Sequence, residues 1–144
     1  MEDQSDFNKI YIEVILTRGI LSENDLILML KVFGIGSFEE YAGDPSSLRD
    51  MCYVLINEVG QEKLLAEIRR VMEEEYIDRL SYQEAANWYE NLKNRSLDEL
   101  KNFYEKNFQK EKLKPSVNED DLIVLILGEL LKLGKEEANL LFKF

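Results

Sequence analysis

One local pattern recurs along this chain and commits it to helices: a serine, two residues, then an acid, set just before an apolar stretch. It runs from Ser22 to Asp25, Ser37 to Glu40, Ser47 to Asp50, Ser81 to Glu84 and Ser96 to Glu99, with Asn118 to Asp121 as a close variant. The serine oxygen accepts from a first-turn backbone N–H while the acid reaches back to the cap's own N–H, so each pattern predicts a helix start. Stops are predicted at Gly19, Gly34, Gly43, Gly60 and Gly134, where a residue without a Cβ adopts the left-handed conformation that ends a helix. Between these marks the apolar residues recur every three or four positions, as in Phe7, Ile10, Tyr11, Val14 and Ile15, in Leu48, Met51, Cys52, Leu55 and Val59, and in Leu97, Leu100, Tyr104 and Phe108. The expected helices are 6–18, 23–33, 38–42, 48–59, 61–79, 82–93, 97–109, 119–133 and 136–143. Strand-type alternation is nowhere convincing.

The fold expected is therefore all-α: a compact bundle of about eight or nine helices. It divides into residues 1–72 and 73–144 as two packed halves, joined through a long helix from Gln61 to Arg79. Leu26 to Phe33 and Leu122 to Leu133 are apolar nearly all round, which requires neighbours or a partner on several faces. Each is expected to be a central helix or a docking surface. The only two prolines, Pro45 and Pro115, are expected in loops. Ser22 to Ile27 and Asn118 to Ile123 echo one another, which one capping solution used twice explains better than duplication.

Composition narrows the chemistry. The chain has no histidine and one cysteine, so it cannot build a disulfide framework, an ordinary zinc site, a Ser-His-Asp triad or a Cys-His pair from its own residues. Cys52 reads as a small core residue. Its 29 acidic against 18 basic residues leave a net charge of −11, a field that repels phosphate backbones and anionic lipid heads. Nucleic acid is thus disfavoured as a partner. No stretch reaches the roughly 20 apolar residues of a membrane span, and the opening Met-Glu-Asp-Gln-Ser-Asp lacks the basic start of a secretory signal, so a cytoplasmic location is expected. Gly34-Ile35-Gly36 lacks the further glycine and the Lys-Ser/Thr of a phosphate loop. Glu74, Glu75 and Asp78 share a helix face that magnesium chemistry would require, but no matching pair stands on a second helix, and Glu119, Asp120 and Asp121 are explained by the helix dipole.

From Leu21 to Ile68 the order of features resembles the effector-associated domains, small bacterial members of the death-domain-like helical bundles. The residues that carry the resemblance are Ser22-Glu23-Asn24-Asp25-Leu26, Phe38-Glu39-Glu40-Tyr41-Ala42-Gly43, Ser47 through Ile56, and Lys63-Leu64-Leu65-Ala66-Glu67-Ile68. Such domains act as adaptors that pair with similar domains and carry no catalytic residues, so the resemblance implies a helical bundle with a binding role over about a third of the chain.

The expectation for function is a non-enzymatic, acidic protein–protein interaction module that needs no cofactor or metal and binds a partner protein or a second copy of itself through apolar helix faces. Leu130, Leu133, Leu140, Leu141, Phe142 and Phe144 are the candidate contact residues, because the nearly all-apolar helix and the apolar residues after it would otherwise exceed a normal exposed patch. Lys101, Lys106, Lys110, Lys112 and Lys114, interleaved with Phe103, Tyr104 and Phe108, form a candidate basic patch. Lysines solvating an outer face over core aromatics account for it as well. The alternative is an acidic regulator or inhibitor, such as a virus encodes, occupying the basic groove of a nucleic-acid enzyme. A hydrolase with carboxylate-bound magnesium ranks third.

Overall fold

The computed structural model describes residues 4–35, 45–108 and 116–141, and these are all-α, with eight helices. The helices are α1 (Gln4–Thr17), α2 (Glu23–Val32), α3 (Pro45–Glu58), α4 (Gln61–Glu75), α5 (Tyr82–Lys93), α6 (Leu97–Asn107), α7 (Glu119–Lys132) and α8 (Lys135–Leu140). None is long and apolar enough to cross a membrane. The helix expected over 38–42 and its cap at Ser37, the stop at Gly43, and the loop around Pro115 lie outside the described residues. The chain divides into two compact units, residues 1–75 and 76–144.

In the first unit α1 packs against α3 and α4, and α2 packs against α3. The stripe of α1 supplies Phe7, Tyr11, Val14 and Ile15 to the core, joined by Ile12 and Leu16, so α1 is buried on more than one side. Leu48, Cys52 and Leu55 of α3 and Leu64, Ile68, Val71 and Met72 of α4 complete the packing. Two stops fall where the glycines predict them: Gly19 has φ +77 and Gly34 has φ +71. After α2 the Gly34 N–H donates to the Lys31 carbonyl and the Ile35 N–H to the Leu30 carbonyl, which satisfies the last turn of the helix.

In the second unit α7 is the central helix, covered by α5, α6 and α8. Leu122, Ile123, Ile126, Leu127, Leu130 and Leu131 are buried there, as are Trp88, Leu92, Leu100 and Tyr104 of the surrounding helices. This is why α7 can be apolar nearly all round. α2 behaves differently. It buries Ile27, Met29 and Leu30 but leaves Leu28 at 55% and Val32 at 64% exposure.

Five local expectations are corrected. The helix expected to run to Arg79 ends at Glu75, and residues 76–80 turn instead: the Arg79 N–H donates to the Tyr76 carbonyl, Leu80 is buried, and Ser81 already caps α5. This turn is held in the second unit, with the Asp78 carbonyl accepting from the Lys135 N–H and Arg79 Nη1 donating to the Leu131 carbonyl at 3.0 Å. Pro45 is the first residue of α3 rather than a loop residue, since its fixed φ suits a first-turn position whose N–H has no partner in any case. Ser47 therefore lies inside α3, as its third residue, rather than ahead of it. Gly134, with φ −62 and ψ 152, opens α8 rather than closing α7, and Gly60 is not left-handed.

Candidate functional site

The described capping motifs place the side chains that matter most. Ser81 and Ser96 both make complete capping boxes, with Ser81 Oγ accepting from the Glu84 N–H at 3.1 Å and Ser96 Oγ from the Glu99 N–H at 3.2 Å. In return Glu84 Oε1 accepts from the Ser81 N–H at 3.0 Å, and Glu99 Oε1 from the Ser96 N–H at 3.1 Å. α6 starting at Leu97 puts Glu99, Asn102, Phe103, Lys106 and Asn107 at helical spacing on one face.

That face and the end of α8 enclose a groove of about 510 Å³ in the second unit, lined by Arg95, Glu99, Asn102, Phe103, Lys106, Asn107, Leu140 and Leu141. Its apolar side is Phe103, Leu140 and Leu141. Phe103 is half-buried, its ring 5.9 Å from Trp88 and 5.8 Å edge-on from Phe108. Leu140, by contrast, is 67% exposed. Arg95 Nη1 lies 3.3 Å from Glu99 Oε2 and its Nε donates to Asn91 Oδ1 at 3.3 Å, and Asn107 Nδ2 donates to the Phe103 carbonyl at 3.0 Å. The bonds from Ser96 and Arg95 hold the Glu99 carboxyl below the ordinary glutamate range. Lys106 stands exposed toward the C-terminal end of α6. The groove has the Arg95–Glu99 ion pair toward the start of α6, Lys106 toward its end, and Phe103, Leu140 and Leu141 as its apolar part.

α8 has only six residues and is too short to hold itself. One carboxylate fastens it to α5: Glu84 Oε1 lies 3.2 Å from Lys135 Nζ, and Asn139 Nδ2 donates to Glu84 Oε2 at 3.1 Å. Burial pushes the Glu84 carboxyl up, but the bonds from Ser81, Asn139 and Lys135 outweigh it and hold the group below its ordinary value. Ala138 is buried beneath the helix. The position of Leu140 and Leu141 thus depends on a residue that caps a different helix.

Of the six apolar residues expected to form one contact surface, the four described do not stand together. Leu130 is fully buried in the core of the second unit, Leu133 is half-buried at the end of α7, and Leu140 and half-buried Leu141 reach the groove. Phe142 and Phe144 lie outside the described residues. Of the basic patch, Lys106 lines the groove and Lys101 is half-buried on α6, while Lys110, Lys112 and Lys114 lie outside the described residues. Trp88 and Tyr104 are buried and Lys93 sits 5.2 Å over the Tyr89 ring, so these aromatics pack within the protein. Sequence reasoning missed Phe103, Asn102 and Asn107 as groove residues. The signal was available in the spacing 99, 102, 103, 106, 107, but only with α8 in place does that face become one wall of a cleft.

A second concavity of about 480 Å³ lies in the first unit, with buried Ile12 and Leu64 at its base and Lys9, Glu13, Tyr53 and Asn57 among its walls. Arg70 ties Glu67 to Glu74 along α4, at 3.2 Å to Glu74, which accounts for part of that acidic run as a solvated face. Among the described residues no three His, Cys, Asp or Glu side chains stand where they could hold a metal ion. Cys52 is buried, and burial pushes its thiol up to about 11. Comparison with protein-family models, with curated proteins and with solved structures finds no match for this chain.

Proposed function

We propose that this chain is a non-enzymatic protein-interaction module whose contact site is the α6/α8 groove. The observation that carries the reading is Leu140: a large apolar side chain two-thirds exposed beside Leu141 and Phe103, in a cleft with charged ends and amide-bearing sides. A helix with one apolar stripe fits a cleft of this kind, where the strip supplies affinity and the charged ends set direction. The resemblance of Leu21 to Ile68 to adaptor domains supports a binding role independently, since that stretch belongs to the first unit. Capture of partner proteins from an extract of the native cell by the wild-type chain and by Leu140→Asp tests the reading. Partners lost with Leu140→Asp, whose own fold is unaltered, support it. An unchanged set of captured proteins overturns it.

The distribution of charge favours a second reading. Residues 1–75 hold 16 acidic and 7 basic residues, a net of −9, whereas residues 76–144 hold 13 and 11, a net of −2. An acidic regulator of a nucleic-acid enzyme would therefore act through the first unit. Competition between the chain and DNA for such an enzyme, weakening steeply with salt, distinguishes it from an apolar groove contact.

A further inference from the structure

We infer that α8 and the turn at residues 76–79 form one latch, docking and releasing together, so that a wall of the groove and the segment where the second unit begins share a single local opening. Two bonds clasp the turn across the corner between α7 and α8. The N–H of Lys135, the first residue of α8, donates to the Asp78 carbonyl, and Arg79 Nη1 donates at 3.0 Å to the Leu131 carbonyl in the last turn of α7. The segments also pass close to one another, since a Cβ at Gly134 would lie 3.9 Å from the same Asp78 oxygen. On α5, Glu84 ties α8 a second time by meeting both Lys135 and Asn139. Lys135 serves both ties: its backbone holds the turn and its side chain holds Glu84.

Neither partner in the latch is secure alone. α8 has six residues, its N-cap Gly134 offers no side-chain bond, and it buries Ala138 while leaving Leu140 67% exposed. The turn has no helix of its own: the Arg79 N–H donates to the Tyr76 carbonyl, and Ile77 is 73% exposed. Segments that bury few apolar side chains lie at the low end of local stability, and two such segments that hold one another open as a unit. The opening stops at Leu80, which is buried, and at Ser81, which caps α5. The core of α5, α6 and α7 stays closed around Trp88, Leu100, Ile126 and Leu130. Release of α8 withdraws Leu140 and Leu141 from the groove and frees the Asp78 carbonyl in the same step, leaving Phe103 and Lys106 on α6 without a facing wall. A contact that needs Leu140 and Leu141 in place therefore slows opening of the turn, and a firmer turn favours that contact by the same factor. The coupling belongs to the second unit and holds whatever the groove binds.

Amide hydrogen exchange of the full-length chain, followed residue by residue by NMR under conditions where the rate reports the opening equilibrium, tests this. The deciding amides are those of Arg79, Lys135 and Ala138, whose acceptors are the Tyr76, Asp78 and Gly134 carbonyls. In the wild type their protection is expected to agree within about tenfold and to fall well below that of the α7 core amides. Two variants are compared. Asn139→Asp, at an exposed position, removes the donor to Glu84 Oε2 and sets a second carboxylate against it. Arg79→Met removes the donor to the Leu131 carbonyl and keeps the apolar stem. Each is expected to speed exchange at all three amides by roughly tenfold, the worth of a charge-assisted bond, and to leave α7 and α1 to α4 as they were. The crossed effects, of Asn139→Asp on the Arg79 amide and of Arg79→Met on the Ala138 amide, separate one latch from two independent ties. Wild-type protections that differ by more than about tenfold, or a variant that speeds exchange on its own segment alone, overturn the inference. Exchange that quickens equally in α7 overturns it too, because the opening is then that of the whole unit.

Discussion

Replacing Glu84 with alanine removes three fastenings at once, which makes it the most informative single change in the second unit. The reciprocal capping bond to the Ser81 N–H contributes about 0.5–1 kcal/mol. The bond from Asn139 Nδ2, charge-assisted on the acceptor side, adds about 0.5–1.5 kcal/mol. The Lys135 pair must be discounted, because its side chains are 27% and 45% exposed and solvent screens them, leaving about 0.2–0.5 kcal/mol. The expected total is about 1.2–3 kcal/mol, a shift of roughly 10 °C in melting temperature for a unit of this size. Trp88 fluorescence in a urea titration reports on this unit, since the chain's only tryptophan lies there. Glu84→Gln keeps an acceptor for Ser81 but drops the charge, so it is expected to fall between wild type and alanine. In a Lys135→Ala background the cost of Glu84→Ala is expected to shrink by no more than the discounted pair. The reasoning is refuted if Glu84→Ala costs less than about 0.5 kcal/mol, or if its whole cost disappears in the Lys135→Ala background.

Other consequences follow from burial and charge. Leu130→Ala is expected to cost about 2–5 kcal/mol and Leu140→Ala within about 0.5 kcal/mol, because the first empties a core site and the second removes an exposed side chain; similar losses in urea unfolding would contradict the placement of both. The carboxyls of Glu67, Glu84 and Glu99 all lie below their ordinary values when folded, Glu67 chiefly through its hydrogen bond from Arg70. The stability they add is therefore present in full above the unfolded value of about 4.3 and is lost as pH falls through the lower folded values. Urea midpoints are expected to be level through the weakly acidic range and to drop below about pH 4, less so in Glu84→Gln, and a midpoint unchanged down to pH 3 would count against the hydrogen bonds. Cys52 is expected to resist iodoacetamide at pH 8 in the native chain and to react promptly in urea, as its thiol is buried and its pKa raised to about 11; rapid native labelling would place it at the surface.

Helix positions were legible because they depend on neighbours a few residues apart. A serine can reach an acid three positions on whatever the rest of the chain does, and so the starts at Ser22, Ser81, Ser96 and Asn118 agree with the observed caps. The same local logic misled where two signals were close in strength. Pro45 took the first helical position ahead of Ser47, and the glycine at 134 served the following helix.

What the amino-acid order determined by itself was the all-α class, most helix limits and the exclusion of a disulfide framework and of sites that need histidine, since capping, periodicity and composition are properties of short segments or simple counts. Which apolar residues face inward was decided only by tertiary packing. α2 and α7 look alike as sequences, apolar on nearly every side, yet α7 is enclosed by three helices and α2 leaves Leu28 and Val32 in water. The groove likewise exists only because contacts far apart in the chain hold α8 in place, among them the Glu84 carboxylate of α5, the Asp78 carbonyl and the buried Ala138. Contacts between residues 55 positions apart in the chain leave no periodic trace in it, because no local hydrogen bond or helical turn connects them.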